Sequence, residues 1–277
     1  MKLFIIGLGK VGKTLLRAYL TVENTTIYVY DRDRTKVLNA ADNKRVFPVY
    51  GIDECTEADT VFITVIDKKI LSAMDSISGT VSGNIVIMSG TINIEDAVDH
   101  IKNKNNLIIM HPIQTFIDSE GGRELFKNIY FSVEYTQSVK FCDEFCDEFD
   151  CHYIIAEKDF NRILYHAACM FASNFIVIMA KTADELLSNA HLTDGDDSHI
   201  LIPIMEKTLE NIKAKGIKKS LTGPVMRGDW KVIEKHISQI ADSDTEQLYR
   251  MLIKKNIELV KDHDISNLDE MESIIDE

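Results

Sequence analysis

The residues best suited to chemistry begin at the amino terminus. In GLGKVG, Gly7, Gly9 and Gly12 follow the apolar run LFIIG and lead into an amphipathic segment. A first glycine permits a tight strand-to-helix turn, a second lets backbone approach a pyrophosphate, and a third lets helix pack on strand. The open N–H groups at the helix start then face the phosphate charge. Gly7, Leu8, Gly9, Lys10, Val11 and Gly12 would line that loop. Asp31 closes the second strand-like run 24 positions after Gly7, near the spacing at which a carboxylate holds ribose hydroxyls. Its charge favours NAD. Arg32 and Arg34 can instead pair with the 2′-phosphate of NADP, so the choice stays open with a lean to NAD.

A second set of polar residues stands at the ends of later apolar runs: Val65-Ile66-Asp67, Met88-Ser89-Gly90-Thr91 and His111-Pro112. In an open parallel sheet these carboxyl ends are where ligands bind. Val65, Ile66 and Ser89 are expected beside a cofactor, and Ser89 or Thr91 can hydrogen-bond it. His111 reads equally well as a proton-exchanging group or as a structural histidine bonding a loop carbonyl. Further on, His166, Met170, Ser173, Asn174 and Lys181 share a broad helix face by their i+4, i+7 and i+8 spacing. Polar groups in so apolar a stretch need partners, which makes His166 and Asn174 site candidates. Cys142, Cys146, Cys151 and His152 lack the pattern of a zinc site: the first two are one helical turn apart, and no metal is expected.

Such residues need elements to carry them. Strand-like runs at 3–7, 26–31, 46–50, 60–66, 84–90, 106–111, 129–134 and 151–157 alternate at first with amphipathic segments such as 11–20 and 33–41. This pattern predicts βαβ units and a mostly parallel sheet, with one more helix around 138–149. After residue 157 the β signal stops. Residues 159–190 read as a single helix, apolar nearly all round and therefore buried on several sides, most simply against a second copy. More helices are predicted near 196–215, 229–241 and 243–263. The expected organisation is α/β plus all-α: a sheet domain over 1–157, then a helical substrate and dimerisation domain over 158–277.

The bulk numbers narrow the function. A net charge of −13, with seven acids and no Lys or Arg in 262–277, leaves no basic stripe for nucleic acid. Five cysteines, an odd number, suit a reducing compartment better than a disulfide framework. The opening lacks the form of a signal peptide, and the apolar stretch 167–180 is shorter than a membrane span, so a soluble cytoplasmic protein without membrane partner is expected. Without export, the RGD tripeptide in TGPVMRGDW (222–230) is no adhesion signal. Gly223-Pro224 can end one helix there and Asp229 can cap the next. Arg227 is then either an anion clamp or a staple to Asp229.

Taken together, the glycine loop, His111-Pro112 with Thr115-Phe116, Tyr165-His166-Ala167-Ala168, Ala172-Ser173-Asn174, Thr222-Gly223-Pro224, Arg227-Gly228-Asp229 and His236 resemble a known group over nearly the whole chain. It is that of Rossmann-like proteins with a helical C-terminal domain of unknown function 2520, in the superfamily of 6-phosphogluconate dehydrogenase and deazaflavin-dependent NADP reductase. The resemblance implies a helical 6-phosphogluconate dehydrogenase C-terminal-like domain after the sheet. It further implies an NAD(P)-dependent oxidoreductase acting on a small metabolite in an interdomain cleft. His166 or His111 would exchange the proton, Asn174 orient the substrate, and Arg227 pair with a substrate carboxylate or phosphate. Three departures stand out. The group's Val-Pro-Asp is Val65-Ile66-Asp67 here, its frequent histidine before Ser-Gly is Met88, and the lysine that related dehydrogenases place four before the asparagine is Met170. A nucleotide-binding sensor without turnover is the rival reading, and an adenosylmethionine-dependent methyltransferase a third.

Overall fold

The computed structural model describes all residues except 55–56, 78–80, 102–105, 118, 193–197, 263–264, 266 and 277. Among the described residues, eight strands form one sheet in the order β3-β2-β1-β4-β5-β6-β7-β8. They are β1 (Lys2–Ile6), β2 (Thr26–Tyr30), β3 (Val46–Pro48), β4 (Thr60–Ile63), β5 (Asn84–Ile87), β6 (Leu107–Pro112), β7 (Tyr130–Tyr135) and β8 (His152–Ile155). All neighbours run parallel except β6 and β7. The chain runs outward from β1 to β3 and then returns to β4 on the other side of β1. At that reversal the connections leave in opposite directions and open a crevice at the strand ends.

The central strands β1, β4, β5 and β6 read as continuous apolar runs because both faces of the sheet are covered there, whereas the edge strand β8 leaves Ile154 and Ile155 exposed. Leu3 and Ile5 of β1 join a core with Leu15, Phe62, Phe131 and Phe145, while Phe4 and Ile6 join another with Val61, Ile63, Ile70 and Met74. Alternate residues of one strand thus feed opposite layers. The helices are α1 (Lys10–Tyr19), α2 (Arg34–Ala40), α3 (Ile70–Ile77), α4 (Ile94–Val98), α5 (Lys140–Phe149), α6 (Arg162–Ala172), α7 (Asn174–Asn189), α8 (Ile202–Lys215), α9 (Pro224–Arg227), α10 (Trp230–Gln239), α11 (Ser243–Val260) and α12 (Leu268–Asp276). Cys142 and Cys146 of α5 and Cys151 just after it are buried in the core, where burial pushes the Cys142 thiol up to about 12.

The chain divides into two compact units, Met1–Ser173 and Asn174–Glu277. This places α6 with the sheet, one helix beyond the boundary expected at 157. The single helix expected over 159–190 is in fact two. Ser173 leaves helical geometry (φ −134, ψ −76), and its hydroxyl donates to the Cys169 carbonyl at 2.7 Å, a back-bond that bends helices. Within the single chain its apolar faces stay open, Phe171 being 71% and Val177 67% exposed. Counted across the break, Arg162–Asn189 spans 28 residues and is long and apolar enough to cross a membrane, which corrects the shorter expectation. Core helices of soluble proteins meet the same criterion.

In the second unit, α9 to α12 pack around Val225, Ile233, Ile237, Ile253, Ile257 and Met271. His236 of α10 and Tyr249 of α11 are joined by a 2.7 Å hydrogen bond.

One charge holds α6 to the sheet. Arg162 is 2% exposed, and its guanidinium pairs with Glu134 of β7 and donates to the Ser89 carbonyl at 3.3 Å. Asn161 caps the helix beside it by accepting from the Leu164 N–H at 3.0 Å. A buried ion that loses its partner is costly, about 3–5 kcal/mol. Arg162→Ala should lower unfolding free energy by about that amount in urea titrations. An Arg162→Met, Glu134→Gln double variant should recover most of the loss; equal loss in both would mean that the ion pair is not the anchor.

Candidate active site

The glycine loop is shaped by the protein's own packing at two of its three glycines. Gly7 has φ +100, which L residues rarely adopt, and a Cβ on Gly12 would lie 2.0 Å from the Gly7 carbonyl oxygen. Thr64, just past β4, ties the loop down by donating from Oγ1 to the Gly7 carbonyl at 2.7 Å. Gly9 is different: a Cβ there would meet nothing within 4 Å. Its bareness serves no internal contact. Gly9 is also the N-cap of α1, with no side-chain cap bond and no acid in the first turn. The open N–H groups and unfilled cradle fit the pyrophosphate of a dinucleotide.

Beyond the loop, a cavity of 240 Å³ is lined by Gly7, Gly9, Asp31, Arg32, Val65 and Ile66. Leu8 is buried under the loop, whereas Lys10 borders a separate hollow of 440 Å³ with Lys13 and Arg17. Val11 packs against the core beneath α1. Asp31 accepts from the Leu8 N–H at 2.7 Å with one oxygen and from the Asp33 N–H at 2.9 Å with the other. It therefore braces the loop, a role that spacing alone did not show. Arg32 and Arg34 line a 200 Å³ hollow with Asp31 and Tyr50, and the Arg34 guanidinium lies 5.7 Å over the Tyr50 ring.

At the ends of β4, β5 and β6 a second polar group assembles. Ser89 donates to Asp67 at 3.0 Å and accepts from the Thr91 and Ile92 N–H groups at 3.1 and 3.3 Å. Thr91 also donates to Asp67, at 2.6 Å. The Ser89 hydroxyl is thus committed to building the turn. That turn brings Gly90 against two histidines: a Cβ on it would lie 2.8 Å from His111 Nε2 and 2.8 Å from His166 Cδ2. The two rings stand 6.0 Å apart. His111 Nδ1 is 2.6 Å from the Tyr165 hydroxyl. Burial, reinforced by His166 and Arg162 and only partly offset by Asp67, lowers the His111 pKa to about 4. Burial pushes the Tyr165 phenol up to about 12.

His111 and His166, suggested separately by the sequence, are brought together. Tyr165, Gly90 and Arg162 were not singled out as site residues. Tyr165 and His166 are adjacent on a helix, and a search for i+4 faces passes over such a pair. Asn174 opens α7 in the second unit, and Lys181 pairs with Glu185 one turn along. Arg227 ends the one-turn helix α9, 3.8 Å from Asp229, with both side chains largely exposed. Gly223 precedes that helix and Pro224 starts it, so the pair begins a helix where it was expected to end one. Asp229 occupies the N-cap of α10 but makes no cap bond, because at φ −95, ψ 61 it lacks the extended cap geometry.

Comparison with known proteins agrees with this architecture. Residues 2–111 match the NAD binding domain of 6-phosphogluconate dehydrogenase, and residues 129–256 match the domain of unknown function DUF2520. A search of curated proteins finds no match. Among solved structures, a Bacteroides fragilis protein named as an NADP oxidoreductase superposes with a TM-score of 0.74 at 21% identity, over 92% of this chain and 97% of its own. A Thermotoga maritima protein gives 0.73 at 22% identity, over 94% and 99%. Plasmodium falciparum pyrroline carboxylate reductase, solved with NADP bound, gives 0.62 at 13% identity, over 99% and 98%. These likenesses establish the fold.

The contrast between glycines is testable. Gly9→Ala should leave stability within about 1 kcal/mol while weakening dinucleotide binding by about tenfold or more. Gly12→Ala should destabilise the fold by about 3 kcal/mol, since the Gly7 carbonyl must move. Calorimetric titration and denaturant melts measure both, and equal behaviour of the two variants would contradict the assignment. A pH effect follows from His111. Its folded pKa is depressed from 6.5 to about 4, so the unfolded chain takes up the proton first as pH falls. Stability is complete above about pH 6.5 and declines toward pH 4, by up to about 3 kcal/mol. The difference between wild type and His111→Gln over that window should show this slope; a flat difference would refute it.

Proposed function

Because the chain joins a 6-phosphogluconate dehydrogenase-type NAD-binding domain to the domain of unknown function 2520, we propose that it is an NAD(P)-dependent oxidoreductase acting on a small metabolite. One observation carries this reading. The glycine loop with its open Gly9 cradle and the His111–Tyr165–His166 cluster belong to the same carboxyl edge of the same sheet. A bound nicotinamide dinucleotide supplies or accepts hydride. The chain's own residues bind it through the N–H groups at the start of α1, and the His111–His166 pair meets the reacting group, with the accompanying proton assigned to His166 and His111 beside it as hydrogen-bond donor. Asn174 and Arg227 are proposed to orient the substrate and pair with its anionic group.

We further propose NADP as the preferred form. Asp31, whose charge favours NAD, spends one acceptor site of each oxygen on a backbone N–H group and so braces the loop. Arg32, Arg34 and Tyr50 instead frame a hollow suited to a 2′-phosphate. The exposed apolar residues of α7 support a homodimer, formed by a second copy covering Val177 and Ile178, and a cytoplasmic location remains part of the same proposal.

Calorimetry with NADP, NAD and their reduced forms tests the proposal first. NADP should bind at least about tenfold more tightly than NAD, and Arg34→Ser should remove most of that preference. Failure to bind any dinucleotide would sink the oxidoreductase reading, and binding without turnover across a panel of carbonyl and imine compounds would favour a sensor. Light scattering should report twice the chain mass. A monomer that floats with lipid vesicles would show that the apolar helix meets membrane instead.

A further inference from the structure

His111 and Tyr165 meet with their rings perpendicular, at 88° and 5.5 Å between centroids, and with Nδ1 2.6 Å from the phenol oxygen. Such a pair can be wired in two ways. If Nδ1 carried the proton, it would donate to the phenol oxygen, and the phenolic hydrogen would need another acceptor in a half-buried place. The other groups beside the phenol are the Ser132 hydroxyl, which lies opposite His111 across β6 and β7, and the Cys169 thiol. A thiol is a weak acceptor, and a hydroxyl can serve equally as donor to the phenol oxygen. The bare imidazole nitrogen is the strongest acceptor within reach. With the phenol donating to it, the ring proton falls on Nε2. That atom makes no hydrogen bond among the described residues and borders Gly90, where no side chain intervenes.

We propose that Tyr165 is a positioning residue that holds His111 in the Nε2–H tautomer, so that His111 presents a neutral hydrogen-bond donor to its ligand. The ligand class follows from that polarity: a substrate whose reacting carbon carries an accepting oxygen or nitrogen, as in a ketone, aldehyde or imine. This identification of the ligand rests on the oxidoreductase reading; the tautomer does not. A neutral imidazole donor polarises a carbonyl or imine without becoming a base at Nε2. The groups facing His111 agree with a neutral ring. His166, Arg162 and Tyr165 come from α6 and Asp67 from the end of β4, so two neighbours that carry or can take positive charge outnumber the one carboxylate.

Histidine-selective ¹⁵N NMR of the whole protein at neutral pH reads the tautomer directly, with His111→Gln identifying the signal. The expected spectrum has a protonated Nε2 and a bare Nδ1. In Tyr165→Phe the ring should sample both tautomers and titrate nearer the ordinary histidine range. A protonated Nδ1 in the wild type, or a Tyr165→Phe spectrum identical to wild type, would overturn the proposal. Should Tyr165→Phe not fold, the wild-type spectrum still decides. In turnover with a carbonyl or imine substrate, Tyr165→Phe should lower kcat by about tenfold while dinucleotide affinity stays within about threefold. A held tautomer in a protein that binds no dinucleotide would support the tautomer assignment while removing the oxidoreductase reading, so the two fail separately.

Discussion

The candidate site depends on a buried guanidinium. Arg162 is taken out of water at the start of α6, and a charge in that position persists only where it is paired and hydrogen-bonded. Glu134 on β7 and the Ser89 carbonyl at the end of β5 supply those partners, so a single side chain ties α6 to two strands. Tyr165 and His166 lie within one turn of this anchor. Their approach to His111 and Gly90 is a consequence of where Arg162 must sit. The ring of Phe160, 5.1 Å beneath the same guanidinium, closes it off from below.

At the other end of the crevice the constraint is steric. Gly12 lies against the Gly7 carbonyl with no room for a methyl, and Thr64 and Asp31 hold the same loop by hydrogen bonds from β4 and β2. Three strands thus converge on six residues. Only Gly9 stands outside this packing, and it is the position at which an external group can approach backbone. The fold therefore distinguishes glycines needed by the protein from one that leaves space for something else.

Much of this was legible in the sequence, for physical reasons that also explain what was not. The central strands β1, β4, β5 and β6 are apolar runs because a sheet covered on both faces leaves them no obvious polar side. The glycine spacing survives as a pattern because packing enforces two of its members. By contrast, composition could not reveal the break at Ser173, since a back-bonded serine suits a continuous helix nearly as well as a bent one. Asp31 was recognisable by position, yet its carboxylate is used by Leu8 and Asp33, and partners of that kind follow from tertiary geometry alone. Tyr165 belongs to a recognisable motif, but its role does not follow from it because its partner is 54 residues away. Asp229 stands at a helix start but lacks cap geometry, which residue type does not report.

The same anchor that places the histidines also sets their chemistry. A guanidinium brought beside His111 to fix α6 raises the cost of a second positive charge there, and burial by the sheet edge adds to it. His111 is consequently neutral across the physiological range, and the phenol beside it, held protonated by burial, is a donor rather than a base. Packing and protonation are therefore not independent features of this cluster. A chain that folds in this way obtains a neutral, oriented imidazole at the carboxyl edge of its sheet as a consequence of the anchor that closes the core beneath it.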